Sequence, residues 1–189
     1  MKRKTGLLLL LPFILSGCME KTITKMDVEM FNPNGDSLGT IKLSEQADGV
    51  KLEVLLEGLP DGEHGLHIHE KGKCDAPDFK SAGNHFNPDD KQHGLLHPEG
   101  AHAGDLPNII SENGKVDAEL MAPQLTLKAD NKTSLLPEEG TSIVITEGKD
   151  DGMTQPAGES GARIACGEIT DKEAEREDKK EVTPAEEEK

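Results

Sequence analysis

Residues 64–105 read HGLHIHEKGKCDAPDFKSAGNHFNPDDKQHGLLHPEGAHAGD and hold all seven histidines of the 189-residue chain. They do so in less than a quarter of its length. Imidazole is the commonest borderline metal ligand, and scatter by composition alone would not gather it this way. His67 and His69 stand two apart in an apolar-flanked run, so on a strand both rings project from one face. His85, His93, His102 and Asp105 follow among Gly, Pro, Asn and Asp residues, which predict a long loop folding back on itself. A strand offering two ligands beside a loop offering four predicts two adjacent metal positions.

Outward from this stretch the pattern is that of strands. KMDVEMF (25–31) alternates polar and apolar residues with period two, and Asn32-Pro33-Asn34-Gly35-Asp36 then turns the chain. LGTIKL (38–43) and residues 50–56 continue the alternation, with turns over 46–49 and 59–62. Residues 65–70 form the strand that carries the first two ligands. Downstream, 116–121, 125–127, 142–146 and 162–169 read as further strands, with Asn113-Gly114 as a turn and 148–161 as a second long loop. Short strands at these intervals predict an all-β fold, a sandwich or barrel of about eight antiparallel strands with two long functional loops.

Both ends read as appendages. Lys2, Arg3 and Lys4 precede an apolar run from Leu7 to Leu15, too short to span a bilayer as a mature helix and right for an export signal. Leu15-Ser16-Gly17-Cys18 resembles the bacterial lipobox, which implies cleavage before Cys18 and attachment of a lipid such as palmitate. Residues 1–18 are then a lipoprotein signal peptide, 19–25 a tether and 26–169 the domain. Residues 170–189 are almost all charged, the composition of a solvated, disordered tail. Once Cys18 is set aside, Cys74 and Cys166 remain, and in an exported protein they are most simply paired. The net charge of −16 opposes nucleic-acid binding and a polybasic membrane contact, so any membrane attachment runs through the lipid. With no Trp or Tyr and four Phe the core must be aliphatic.

HGLHIHEKGKC, SAGNHFNP, KQHG, HAGDLPN and GARIACG, in that order, resemble the copper/zinc superoxide dismutases. The resemblance implies a Greek-key β-barrel. It places His67, His69 and His85 on copper, and His85, His93, His102 and Asp105 on zinc, His85 bridging the two. It places Cys74 and Cys166 on the family disulfide and Arg163 on the arginine that attracts superoxide. Asp150 falls on the carboxylate linking ligands of the two metals. His64 matches a position that hydrogen-bonds backbone, and His97 matches no ligand.

One position departs from the family. Its fourth copper ligand is a histidine where this chain has Thr146, and no histidine follows His102. The zinc set is complete, three nitrogens and a carboxylate; the copper set lacks one nitrogen of the tetragonal field that the oxidised ion prefers. The expectation is a superoxide dismutase-like lipoprotein on the extracytoplasmic face of the bacterial cell membrane. It would convert superoxide to oxygen and hydrogen peroxide with Arg163 and His85 as catalytic residues and with weakened copper binding. The alternative is a non-enzymatic zinc-binding or copper-holding lipoprotein on the same fold. Oligomeric state stays open.

Overall fold

The computed structural model describes residues 23–171. The segment read as an export signal, Cys18 and nearly all of the charged tail lie outside them. Among the described residues nine strands are formed: β1 (Lys25–Phe31), β2 (Ser37–Gln46), β3 (Gly49–Glu57), β4 (Gly62–His64), β5 (Leu66–His69), β6 (Ile109–Ser111), β7 (Lys115–Ala122), β8 (Thr141–Thr146) and β9 (Arg163–Ile169).

Seven of them make one curled antiparallel sheet in the order β5-β8-β9-β1-β2-β3-β7, and β4 pairs with β6 in a small second sheet. Strand β3 lies beside β7 although β4, β5 and β6 intervene in the chain, and β5 lies beside β8 across β6 and β7. Such returns give the barrel its Greek-key character.

Period-two alternation dictates the inner face. In β1, Met26, Val28 and Met30 are fully buried while Lys25 and Glu29 are exposed. Ile41, Leu43, Val50, Leu52 and Val54 continue the layer from β2 and β3; Leu66, Ile68, Ile143 and Ile145 line it from β5 and β8. Leu66 from one edge strand and Val116 from the other share this core, so the sheet wraps around it. Each such side chain stabilises the fold by roughly 1.5–3 kcal/mol.

The outer face of β5 and β8 carries the site. Because Leu66 and Ile68 point inward, His67 and His69 point outward, under the cover of the loop over residues 70–108. His67 and His69 pair in register with Val144 and Ser142 of β8. A bulge between Ile145 and Thr146 sets Thr146 opposite Arg163.

Three local expectations change. Residues 125–127 form no strand, only an isolated bridge between Thr126 and Ser134. Leu125 and Leu127 are buried as loop residues, held by Glu45, whose carboxylate accepts from the Leu127 N–H at 2.7 Å. Gly62, read as turn, begins β4, and residues 109–111 form β6; three-residue strands are too short to show a period.

Candidate metal centre

His67 and His69 are fixed by hydrogen bonds from one nitrogen of each ring. His67 donates from Nε2 to Asp150 Oδ2 at 2.7 Å, and His69 donates from Nδ1 to the Gly83 carbonyl at 3.0 Å. The opposite nitrogens, His67 Nδ1 and His69 Nε2, are buried and without a partner. An unpartnered polar atom in a dry interior costs on the order of 1–3 kcal/mol, so these lone pairs need an explanation. His85 supplies one: nitrogens of His67, His69 and His85 lie within 4.8 Å of one another, spacing suited to a shared ion.

The second cluster converges on Asp105. One of its oxygens, Oδ1, lies 2.9 Å from His85 Nδ1, 3.1 Å from His93 Nδ1 and 3.3 Å from His102 Nδ1. The His102 contact fails hydrogen-bond geometry, and Nδ1 counts among the unpartnered buried atoms. The other oxygen accepts from the backbone N–H of Gly94 at 2.8 Å and of His102 at 3.0 Å, which aims the carboxylate. Three imidazole nitrogens and a carboxylate form a tetrahedral zinc complement. His85 belongs to both clusters.

Asp150 spans the two positions. It accepts from His67 Nε2, and its Oδ1 from His93 Nε2 at 3.1 Å. Outer carboxylates of this kind fix ring orientation and tautomer. Asn108 grips the peptide of Asp150 from both sides, accepting from its N–H at 3.0 Å and donating to its carbonyl at 2.8 Å. Gly158, at φ +70°, leaves room for the carboxylate, since a Cβ there would lie 1.9 Å from Oδ1.

The electrostatics suit metal. Burial pushes His69 down to about 2, helped by the neighbouring His85 and Arg163. Burial also pushes His85 down to about 4, against the pull of Asp105. Both rings are therefore neutral, the form that ligates. Burial alone would raise Asp105, but the adjacent His102 ring and hydrogen bonds from His85 and the Gly94 N–H hold it well below the usual carboxylate range. Asp150 is likewise held low by His67, Gly152 and His93 against its own burial.

His69, His85, His102, Thr146 and Arg163 line one cleft of about 550 Å³. Arg163 is half-buried and donates from both terminal nitrogens to backbone, to Phe79 O at 2.7 Å and Gly83 O at 2.8 Å. Cys74 and Cys166 are disulfide-bonded, and the bridge ties the loop bearing Phe79 and Gly83 to β9. The Thr146 hydroxyl has one hydrogen to donate and faces two backbone carbonyls with it, Gly148 O at 3.1 Å and Gly65 O at 3.3 Å.

The structure thus gathers His67, His69, His85, His93, His102, Asp105, Asp150 and Arg163 into one region. Both ring nitrogens of His64 face backbone carbonyls, of Thr146 at 2.9 Å and Pro60 at 2.8 Å, and none faces the clusters. His97 is partly exposed and accepts from the Glu99 N–H. Cys18 lies outside the described residues. Sequence reasoning missed Asn108, although it stands in HAGDLPN, and missed Gln155, which accepts from the His93 N–H. Nothing local to Gln155 signals that contact.

Residues 37–169 match the family model of copper/zinc superoxide dismutase. The chain is 44% identical over 171 residues to superoxide dismutase [Cu-Zn] 2 of Aquifex aeolicus, covering 89% of this chain and 99% of that protein. The crystal structure of a superoxide dismutase-like protein from Bacillus subtilis superposes with a TM-score of 0.74 at 42% identity, over 76% of this chain and 97% of that one. The Cu/Zn superoxide dismutase from Brucella abortus superposes with a TM-score of 0.63 at 33% identity, over 77% and 99%.

Proposed function

The chain belongs to the copper/zinc superoxide dismutase family, and on that premise we propose that it is an extracytoplasmic, lipid-anchored superoxide dismutase whose copper position is weakened by Thr146. In this reading His67 Nδ1, His69 Nε2 and His85 hold copper, while His85, His93, His102 and Asp105 hold zinc. The observation that carries it is the pair of buried, unpartnered nitrogens of His67 and His69, within ligand distance of His85 and beside a complete zinc set.

Copper supplies one-electron redox chemistry at its position, and zinc supplies fixed positive charge beside it. The rest falls to the protein. Two superoxide anions and two protons become oxygen and hydrogen peroxide. Arg163, its guanidinium held at the cleft by Phe79 O and Gly83 O, attracts the anion. His85, whose Nδ1 faces Asp105, would pass a proton taken from solvent through Nε2 to the reduced anion, and can carry it only while that nitrogen holds no copper. Asp150 keeps His67 and His93 in the tautomer that points Nδ1 at the ions. The lipobox at Cys18 would hold the protein on the outer face of the cell membrane.

A second reading rests on the Thr146 hydroxyl, which is engaged by the carbonyls of Gly148 and Gly65. With the fourth copper donor missing, the same fold would serve as a zinc-binding or copper-holding lipoprotein without turnover. Metal content and superoxide dismutation, measured on one sample loaded with both metals, separate the readings. A wild type holding one copper and turning over supports the enzyme. A wild type holding only zinc, with copper and activity gained in Thr146→His, supports the second reading.

A further inference from the structure

Gln155 is exposed, in the loop between β8 and β9, yet its side chain makes three hydrogen bonds. Its Oε1 accepts from the backbone N–H of His93 at 2.9 Å, and its Nε2 donates back to the His93 carbonyl at 2.9 Å. The second Nε2 hydrogen serves the carbonyl of Met153 at 3.0 Å. Both peptide groups of His93 are thus held by one carboxamide, in the closed two-bond pattern that one strand residue makes with another. The His93 side chain is fully buried between Asp105 and Asp150. Fixing this peptide fixes the origin of the imidazole, and the two carboxylates then fix its direction.

We infer that Gln155 is a positioning residue for the zinc ligand His93, coupling zinc retention to the loop that roofs the copper cleft. The inference rests on the assignment of His85, His93, His102 and Asp105 to zinc. The same loop contributes Pro156, Ala157 and Ser160 to the cleft wall. The two loops also touch elsewhere: the Leu96 N–H donates to Gly152 O at 3.1 Å, and Gly94 packs so closely on Gly152 that a Cβ would lie 2.0 Å from its oxygen. Those backbone contacts keep the loops together without Gln155. Its own contribution falls on His93.

The test uses the full-length chain as wild type, Gln155→Met and Gln155→Glu, loaded with zinc or, for spectroscopy, with cobalt. Methionine keeps the stem and removes all three bonds; glutamate keeps only the acceptor for the His93 N–H. Loss of an outer partner weakens metal sites about 10–100-fold, and a backbone partner belongs at the lower end. Zinc release to a chelator is therefore expected about tenfold faster in Gln155→Met, with Gln155→Glu between. The visible bands of cobalt at this site should shift, while melting of the metal-free protein stays unchanged. Equal release rates from wild type and Gln155→Met overturn the assignment. So does faster release matched by an equal loss of metal-free stability, which marks a purely structural loop tie. A wild type that holds no zinc overturns the zinc assignment and the role of Gln155 together.

Discussion

The Thr146 hydroxyl lies 3.1 Å from the carbonyl oxygen of Gly148, so the side chain standing where the family has a copper ligand ties backbone instead. Its carbonyl accepts from His64, and its N–H donates to Gly65 O at 3.0 Å. Thr146 is a knot at the end of β8. Thr146→Val should lose about 1 kcal/mol of stability, one net hydrogen bond, and leave copper retention where wild type has it. A denaturant titration and metal analysis on the same preparation check both. A drop in bound copper in Thr146→Val would make the hydroxyl a ligand after all.

Asp150 faces His67 with one oxygen and His93 with the other. An amide can accept from only one of them, so Asp150→Asn should release one ring from its tautomer. Copper or zinc affinity should fall by about 10–100-fold, read by competition with a chromophoric chelator. Asn108 grips only the peptide of this residue, so the loop should keep its path.

The Cys74–Cys166 bridge spans 92 residues of sequence. Replacing both cysteines by serine should cost about 4.6 kcal/mol if chain entropy dominates. It also frees the loop whose Phe79 and Gly83 carbonyls hold Arg163 and His69. Thermal unfolding with and without reductant measures the first effect. Dismutation in the presence of both metals measures the second, and should fall further than metal content does.

Acid should destabilise the metal-free protein early. His85 and His69 titrate lower in the folded state than the 6.5 of a free imidazole. The unfolded chain therefore binds their protons first, and stability is lost as pH falls from about 6.5 towards 4. Asp105 and Asp150, also held low, add a further loss below about pH 4. Melting temperature recorded from pH 8 to pH 4 should stay level down to about pH 7 and decline from there to pH 4. Zinc should raise it at pH 8 and cease to do so once protons displace it. A flat profile for the metal-free protein would refute the neutral, buried state of these rings.

The strands most legible in the sequence are those with one buried face. KMDVEMF alternates because β1 has core on one side and water on the other. Strands β4 and β6 were illegible at three residues each, and Leu125 and Leu127 misled because they are apolar and buried without being strand. Burial of a loop by the core leaves the same residue types as burial of a strand.

The sequence by itself determined the chemistry: seven imidazoles, six of them in one strand and the loop after it, a carboxylate at Asp105, and no histidine at position 146. It determined the inner face of the long strands as well, since a period of two is a local property of the backbone. Only the tertiary structure decided which nitrogen of each ring is free, because each tautomer is set by a distant partner: Asp150 for His67, Gly83 for His69. It alone turned the Thr146 hydroxyl towards Gly148 and brought Asn108 and Gln155 onto the peptides of Asp150 and His93. Apart from Thr146 and Gly148, which stand two apart, these contacts join residues 14 to 83 positions apart, and they follow from the path of the chain around the core, which no local pattern records.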